Sequence, residues 1–264
     1  MDLQLHGKRV LVTGSTGGIG EGIAKGLAKE GATVIINGRR EAEANRVVAE
    51  INATGGQAIT AVGDLSTDTG VDEVVKRISD ELGGVDILVN NAAGGEHQND
   101  MEASATVWLD SYNVNVLSMV RLIQKVLPGM KEQGWGRIIN ISSAAAVQPS
   151  PGMGVYSTTK AAVNNLTVTL AQSLDNDNIT INTVSPGAII TPAMVQMAKE
   201  QGMATTWDEA EVAFSTMMPS SFPFKRMGKI EEIANVVMFL ASPLASYVHG
   251  ANLRVDGGYV PTLN

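Results

Sequence analysis

The sequence contains no cysteine. That excludes a disulfide framework, thiolate chemistry and any cysteine-based metal site, and it leaves the redox compartment open. Aromatic residues make up only 4% of the 264 positions, so a core has to be built from Val, Ile, Leu, Ala and Met. A basic surplus is missing as well: 27 acidic residues face 19 basic ones, the formal net charge is −8 and the pI is about 4.9. A nucleic-acid partner calls for a basic patch, so that class is disfavoured. No clustered Lys/Arg run suits an anionic membrane surface, and no apolar run approaches the roughly 18 residues of a membrane span. The three histidines, His6, His97 and His249, lie far apart without ligand spacing, and no catalytic metal is expected. Met1 to Arg9 lacks the apolar stretch of a signal peptide, and the cytoplasm is the expected compartment.

What is present reads as an α/β enzyme. Hydrophobic residues are 44%, charged residues 17%, and there are 28 glycines, which suits one packed domain with many tight strand-to-helix turns. Short apolar runs at 10–13, 33–37, 58–62, 87–90, 137–141, 179–184 and 252–255 read as strands. Helix-length segments follow them at 18–30, 41–53, 72–82, 114–127, 155–174 and 231–240, the fourth of these stopped near Pro128-Gly129. Continuously apolar strands that alternate with helices imply a parallel sheet covered on both faces. The expected fold class is therefore α/β, a single doubly wound Rossmann domain over 1–264 with a seven-stranded parallel sheet. The least regular stretch, 188–229, reads as a loop-and-helix excursion of the kind used for lids.

The first strand runs directly into Thr13-Gly14-Ser15-Thr16-Gly17-Gly18-Ile19-Gly20. Glycines at 14, 18 and 20 let backbone N–H groups approach a pyrophosphate at a helix N-terminus. The second strand ends in Asn37-Gly38-Arg39-Arg40, with no acid until Glu41. An acid at this point holds a ribose 2′-hydroxyl, whereas a guanidinium binds a 2′-phosphate. Arg39 and Arg40 therefore favour NADP(H), with NAD(H) as the alternative cofactor.

Tyr156 and Lys160 are four positions apart in one helix, hence on one face. An ammonium beside a phenol favours phenolate, so Lys160 is expected to bring the Tyr156 pKa down from about 10 toward the working pH. Ser143, upstream of the pair, supplies a hydroxyl to hold a substrate oxygen against that phenol. These are the parts for moving a proton on and off an alcohol. By itself the spacing is short enough to arise by chance.

Taken together, the chain resembles the short-chain dehydrogenase/reductase family over essentially its full length. Thr13 to Gly20 is similar to the family's cofactor loop, with Gly14, Ser15, Thr16, Gly18, Ile19 and Gly20 as contacts. Asp64 and Leu65 in Gly63-Asp64-Leu65 match the adenine-binding turn. Asn91 and Ala92 in Asn90-Asn91-Ala92-Ala93 match the segment after the fourth strand, with Ala93 in place of the usual glycine. Pro186, Gly187 and Thr191 match the segment that contacts the nicotinamide, and Asp256-Gly257-Gly258 near the C-terminus is also typical. Asn115, Ser143, Tyr156 and Lys160 match the catalytic tetrad. The resemblance implies Tyr156 as acid/base and Lys160 as the residue that tunes it and holds the nicotinamide ribose. It further implies Ser143 on the substrate oxygen and Asn115 supporting a water relay to Lys160. It also implies a subunit interface on the helices at 103–133 and 155–174, so a homotetramer or homodimer is expected.

The function these readings imply is hydride transfer between NADPH and a ketone or secondary alcohol. The alternatives are an NAD-dependent alcohol or hydroxysteroid-type dehydrogenase and a non-catalytic dinucleotide sensor, which would have no need of the tetrad. An enoyl reductase of this superfamily has a longer Tyr-to-Lys interval. Val147, Gln148 and Met153 are expected to wall the substrate site. Met194, Met197, Trp207, Phe214, Met217 and Met218 are expected to form an apolar lid, which suits a partly apolar substrate. Glu96 and His97 read as a solvated loop. The scarcity of basic residues at 94–99 and 190–222 leans away from a substrate carried on an acidic protein, although Arg121, Lys125, Lys131 and Arg137 could assemble a patch.

Overall fold

A computed structural model describes residues 2–94, 100–174, 178–218 and 222–262. Glu96 and His97 lie outside the described residues. Seven strands form one sheet: β1 (Arg9–Val12), β2 (Thr33–Ile36), β3 (Gln57–Thr60), β4 (Ile87–Asn90), β5 (Gly136–Ile141), β6 (Ile179–Pro186) and β7 (Asn252–Val255). Their order is β3-β2-β1-β4-β5-β6-β7 and every pairing is parallel. The helices are α1 (Gly18–Lys29), α2 (Glu41–Ala53), α3 (Asp68–Leu82), α4 (Ala105–Tyr112), α5 (Ser118–Gln133), α6 (Gly154–Ser173), α7 (Pro192–Glu200), α8 (Trp207–Thr216) and α9 (Ile230–Ala241).

Alternate residues of each strand feed opposite cores. Val10, Val12, Val34, Ile36, Val89 and Ile139 pack with Ile23 and Leu27 of α1 and Ile233 and Val237 of α9. Leu11, Ile35, Leu88, Ile138 and Ile181 pack with Val74 of α3 and with Leu122 and Val126 of α5. A strand sandwiched this way must be apolar at every position, which explains the unbroken runs. Each such side chain contributes about 1.5–3 kcal/mol on burial.

The helix expected to stop near Pro128-Gly129 instead runs on to Gln133, with Pro128 inside it. Pro128 and Gly129 are exposed while Met130 is fully buried. The buried stripe Leu122, Ile123, Val126, Met130 thus carries the helix past a proline that sits on the solvent side. Among the described residues, no helix is long and apolar enough to cross a membrane.

The strand order reverses between β1 and β4, so the chain diverges to either side at their C-terminal ends. In open α/β sheets that divergence opens a crevice for a ligand.

Candidate active site

The crevice is present as a cleft of about 640 Å³. Of the residues named from sequence, Gly14, Thr16, Arg39, Arg40, Asp64, Leu65, Asn91 and Ala92 line it. Gly38, Ser66, Gly94, Val114 and Ser118 also line it, and they carry no sequence signal beyond position. Ser15, Gly18, Ile19, Gly20, Pro186, Gly187 and Thr191 are not among the lining residues, and neither are Asn115, Ser143, Tyr156 and Lys160. Ser15 is fully buried, its hydroxyl donating to the Val12 carbonyl at 2.7 Å and accepting from the Asn37 N–H at 3.0 Å. Its own N–H donates to the Asn37 carbonyl, so this residue holds the loop to β2 and has no donor left for a phosphate. Thr191 caps α7, accepting from the Met194 N–H, and Gly187 donates its N–H to Val255.

Two close approaches shape the loop. Gly14 has φ +61° and a Cβ there would stand 2.9 Å from the Ala92 Cα. A Cβ on Gly20 would collide with the Asn91 side-chain nitrogen and stand 2.5 Å from the Gly14 carbonyl. Asn91 spans this gap, its Nδ2 donating to the Thr13 and Gly14 carbonyls at 2.9 and 3.2 Å. Thr13 Oγ1 accepts from the Asn91 and Ala92 N–H groups, both at 2.9 Å. The loop is thereby locked to β4 with its outer surface left bare, a cradle that side chains would fill. That cradle, at a helix N-terminus with two arginines at its rim, fits a dinucleotide.

Arg39 and Arg40 are exposed, and their side chains make no hydrogen bond or ion pair among the described residues. Asp64 accepts from the Ser66 N–H and hydroxyl at 3.0 and 2.8 Å. These bonds, with Arg39 nearby, hold its carboxyl below the usual range.

The tetrad residues come from three elements. Asn115 lies in a π-helical turn, Asn113–Leu117, between α4 and α5, a form that recurs at functional sites. It is fully buried; its Oδ1 accepts from the Gly94 N–H at 2.9 Å and its Nδ2 donates to Ser111 and Thr159 at 3.3 and 3.1 Å. Thr159 in turn donates to the Tyr156 carbonyl at 2.7 Å. Ser143 follows β5, its Oγ accepting from the Ala145 N–H at 3.1 Å. Tyr156 and Lys160 share α6, with the Lys160 Nζ 5.6 Å from the centre of the Tyr156 ring.

The electrostatics differ from the sequence expectation. Burial raises the Tyr156 pKa, and the hydrogen bond with Ser143 only partly offsets it. Lys160 is itself buried and lowered to about 8. Its Nζ donates to the Ile141 carbonyl at 2.8 Å. The ammonium is thus directed at a backbone oxygen beneath the ring, and desolvation of the phenolate wins.

Around this centre, the two stems of 188–229 are tied together. Gly228 N–H donates to Ala188 and Ile190 N–H to Gly228, at 2.8 and 3.0 Å. Met194, Phe214 and Met218 pack on a small core of Ile190, Val195, Ala198 and Met227. Met197, Trp207 and Met217 are exposed. Half of the expected apolar lid is therefore the excursion's own core. Of the candidate basic patch, Arg121 pairs with Asp68 and Lys125 with Asp72, each at 2.6 Å, and Arg137 is buried. Among the described residues, no cluster of three or more His, Asp or Glu could hold a metal ion.

A family model described as enoyl-(acyl carrier protein) reductase matches residues 14–260. The oxidoreductase YvaG of Bacillus subtilis (strain 168) is 40% identical over 264 residues, 98% of each chain. L-sorbose reductase of Gluconobacter frateurii, solved with NADPH and L-sorbose, superposes with a TM-score of 0.93 at 36% identity over 100% of both chains. A 7α-hydroxysteroid dehydrogenase solved with NADH and 7-oxo glycochenodeoxycholic acid has a TM-score of 0.87 and 36% identity over 100% of this chain and 98% of its own. The fold and the cleft define a dinucleotide-dependent oxidoreductase of the Rossmann class. Within that class, the chain belongs to the short-chain dehydrogenase/reductase family.

Proposed function

We propose that the protein is an NADPH-dependent carbonyl reductase interconverting a ketone and a secondary alcohol, with Tyr156 as acid/base. The observation that carries the reading is Tyr156 set over a buried Lys160 one helical turn away, with Ser143 beside the phenol. A reduced nicotinamide, when bound, supplies the hydride. Tyr156 then delivers its proton to the carbonyl oxygen, which Ser143 holds in place. Because burial keeps the phenol above its ordinary pKa, it is protonated at neutral pH and ready to act as the acid. Lys160 holds positive charge under the ring and steadies the phenolate left behind. Asn115 keeps Gly94 at the cleft wall and, through Thr159, braces the turn of α6 that bears Tyr156.

NADPH is preferred over NADH because Arg39 and Arg40 stand unpaired at the cleft rim where a 2′-phosphate would lie. The relatives divide on this point, one solved with NADPH and one with NADH. The four-residue Tyr156–Lys160 interval disfavours the enoyl reduction named in the family model's description. A free small molecule is favoured over a carrier-bound one, because Arg121 and Lys125 are neutralised and Arg137 is buried. We read 1–264 as one domain with 188–229 as its substrate lid. Leu109 and Val168, 70% and 46% exposed on α4 and α6, support assembly into a homodimer or homotetramer through those helices.

The test is a ketone panel assayed by NADPH oxidation, with Tyr156→Phe beside the wild type. Tyr156→Phe is expected to abolish turnover while NADPH binding persists. Wild-type-like turnover in that variant would sink the mechanism.

A further inference from the structure

Helix α6 carries Tyr156 on its first turn, yet its own N-cap residue, Met153, makes no side-chain cap bond. A helix start leaves N–H groups without partners. Here they are met from another part of the chain. Asp100, on the connection between β4 and α4, accepts from Gly154 N–H at 2.6 Å and from Val155 N–H at 3.3 Å through one oxygen. Its other oxygen accepts from Gly152 N–H at 2.9 Å. The approach is so close that a Cβ on Gly154 would stand 2.8 Å from the Asp100 carboxyl carbon.

The same connection is fixed a second time. Gly94, at the cofactor cleft, donates to Asn115, and Asn115 donates to Thr159 of α6. The connection after β4 is therefore bound to the catalytic helix at both Gly94 and Asp100. We infer that Asp100 is a positioning residue for Tyr156: it caps α6 from the cofactor side of the site and holds the turn bearing the phenol in register with the cleft. The inference rests on the reductase reading for its kinetic consequence, but not for its structural one.

A carboxylate at this point also bears on Tyr156 electrically. The groups beside the phenol are Lys160 from its own helix and Ser143 from the end of β5, while Asp100 meets the N–H groups at the start of that helix. Removing the negative charge leaves the positive end of α6 uncompensated and favours phenolate, so Tyr156 should titrate lower.

The experiment compares wild type with Asp100→Asn, Asp100→Ala and Gly154→Ala, the last displacing the carboxylate while leaving Asp100 in the chain. Two quantities are read on protein saturated with NADP(H). The first is kcat and the NADPH KM on the best ketone. The second is the titration of Tyr156 by ¹³C-tyrosine NMR, assigned with Tyr156→Phe. All three variants are expected to lose about tenfold in kcat, with NADPH KM changed less than about twofold. Asp100→Asn and Asp100→Ala are expected to lower the Tyr156 midpoint by about half a pH unit. An unmoved titration overturns the proposal, even if kcat falls, because a purely structural cap would lose activity without shifting the phenol. Full activity in the Asp100 variants overturns it as well. If Asp100→Ala fails to fold, Asp100→Asn and Gly154→Ala decide. If the wild type reduces no ketone at all, the reductase reading fails and the titration alone decides the role of Asp100.

Discussion

Lys160→Met should stabilise the cofactor-free protein at neutral pH. Lys160 is 1% exposed, its ammonium has one carbonyl partner, and burial lowers its pKa from 10.5 to about 8. A tenfold change in proton affinity is worth about 1.36 kcal/mol, so holding this side chain charged in the fold costs up to about 3 kcal/mol. Methionine keeps the stem's packing and removes the charge, but leaves the Ile141 carbonyl without its donor, which costs about 1 kcal/mol. The net gain is about 2 kcal/mol, or about 4–8 °C in Tm for a chain of this size. The pH dependence fixes the cause. Below pH 8 the folded and unfolded states are both protonated and the full penalty is present in the wild type. Between about 8 and 10.5 the folded state releases its proton first, so wild-type stability rises with pH and the advantage of Lys160→Met shrinks. Thermal unfolding of both proteins without cofactor, from neutral to strongly alkaline pH, measures this directly. A variant that melts at or below the wild type near neutral pH, or whose offset stays constant with pH, would refute the reasoning. The expected pattern is a residue kept for chemistry at a cost to the fold.

The cofactor loop gives a graded test of the glycine geometry. Gly17 has φ −176° and open space where a Cβ would stand, so Gly17→Ala should change stability by no more than about 0.5 kcal/mol. Gly20→Ala should cost about 3 kcal/mol, from overpacking and the loss of the Asn91 bonds; chemical denaturation separates the two, and equal stabilities would refute the crowding. Arg39→Asp should raise the NADPH KM by at least about tenfold while leaving the NADH KM within about threefold; unchanged NADPH kinetics would remove the NADP assignment. Because Tyr156 is raised by burial, ketone reduction should hold through neutral pH and fall at alkaline pH, while alcohol oxidation should rise with pH; kcat profiles in both directions test this, and a reduction rate that climbs with pH would contradict it.

The parts of this protein that were legible in its sequence are those set by local pattern. The apolar runs became parallel strands because the central strands are buried on both faces, and Asn252–Val255 and Glu41–Ala53 begin and end where the pattern says. Pro128 misled because a single residue's preference was weighed against a helix whose buried stripe reaches Met130. Ser15 misled for the opposite reason. Its place in a glycine loop suggests a phosphate contact, but its hydroxyl donates to Val12 three residues back and its N–H to Asn37 at the end of the neighbouring strand, the second a contact that no local pattern encodes.

The tetrad shows where such reading stops. A four-residue interval does put Tyr156 and Lys160 on one face of α6, but it does not say where an ammonium at the end of a flexible stem will point. That direction decides the chemistry of the resting site. With Nζ on the Ile141 carbonyl, the charge does not reach the phenol strongly enough to offset its desolvation, and the cofactor-free site holds a neutral Tyr156. Nor could spacing reveal Asp100, separated from Gly154 by 54 positions, or the path from Gly94 through Asn115 to Thr159. These are tertiary bonds between the β4 connection and α6. They make the position of the phenol depend on the same segment that walls the cofactor cleft, which is how proton donor and hydride donor would be kept in one frame on a sheet whose strands bring them from different ends of the chain.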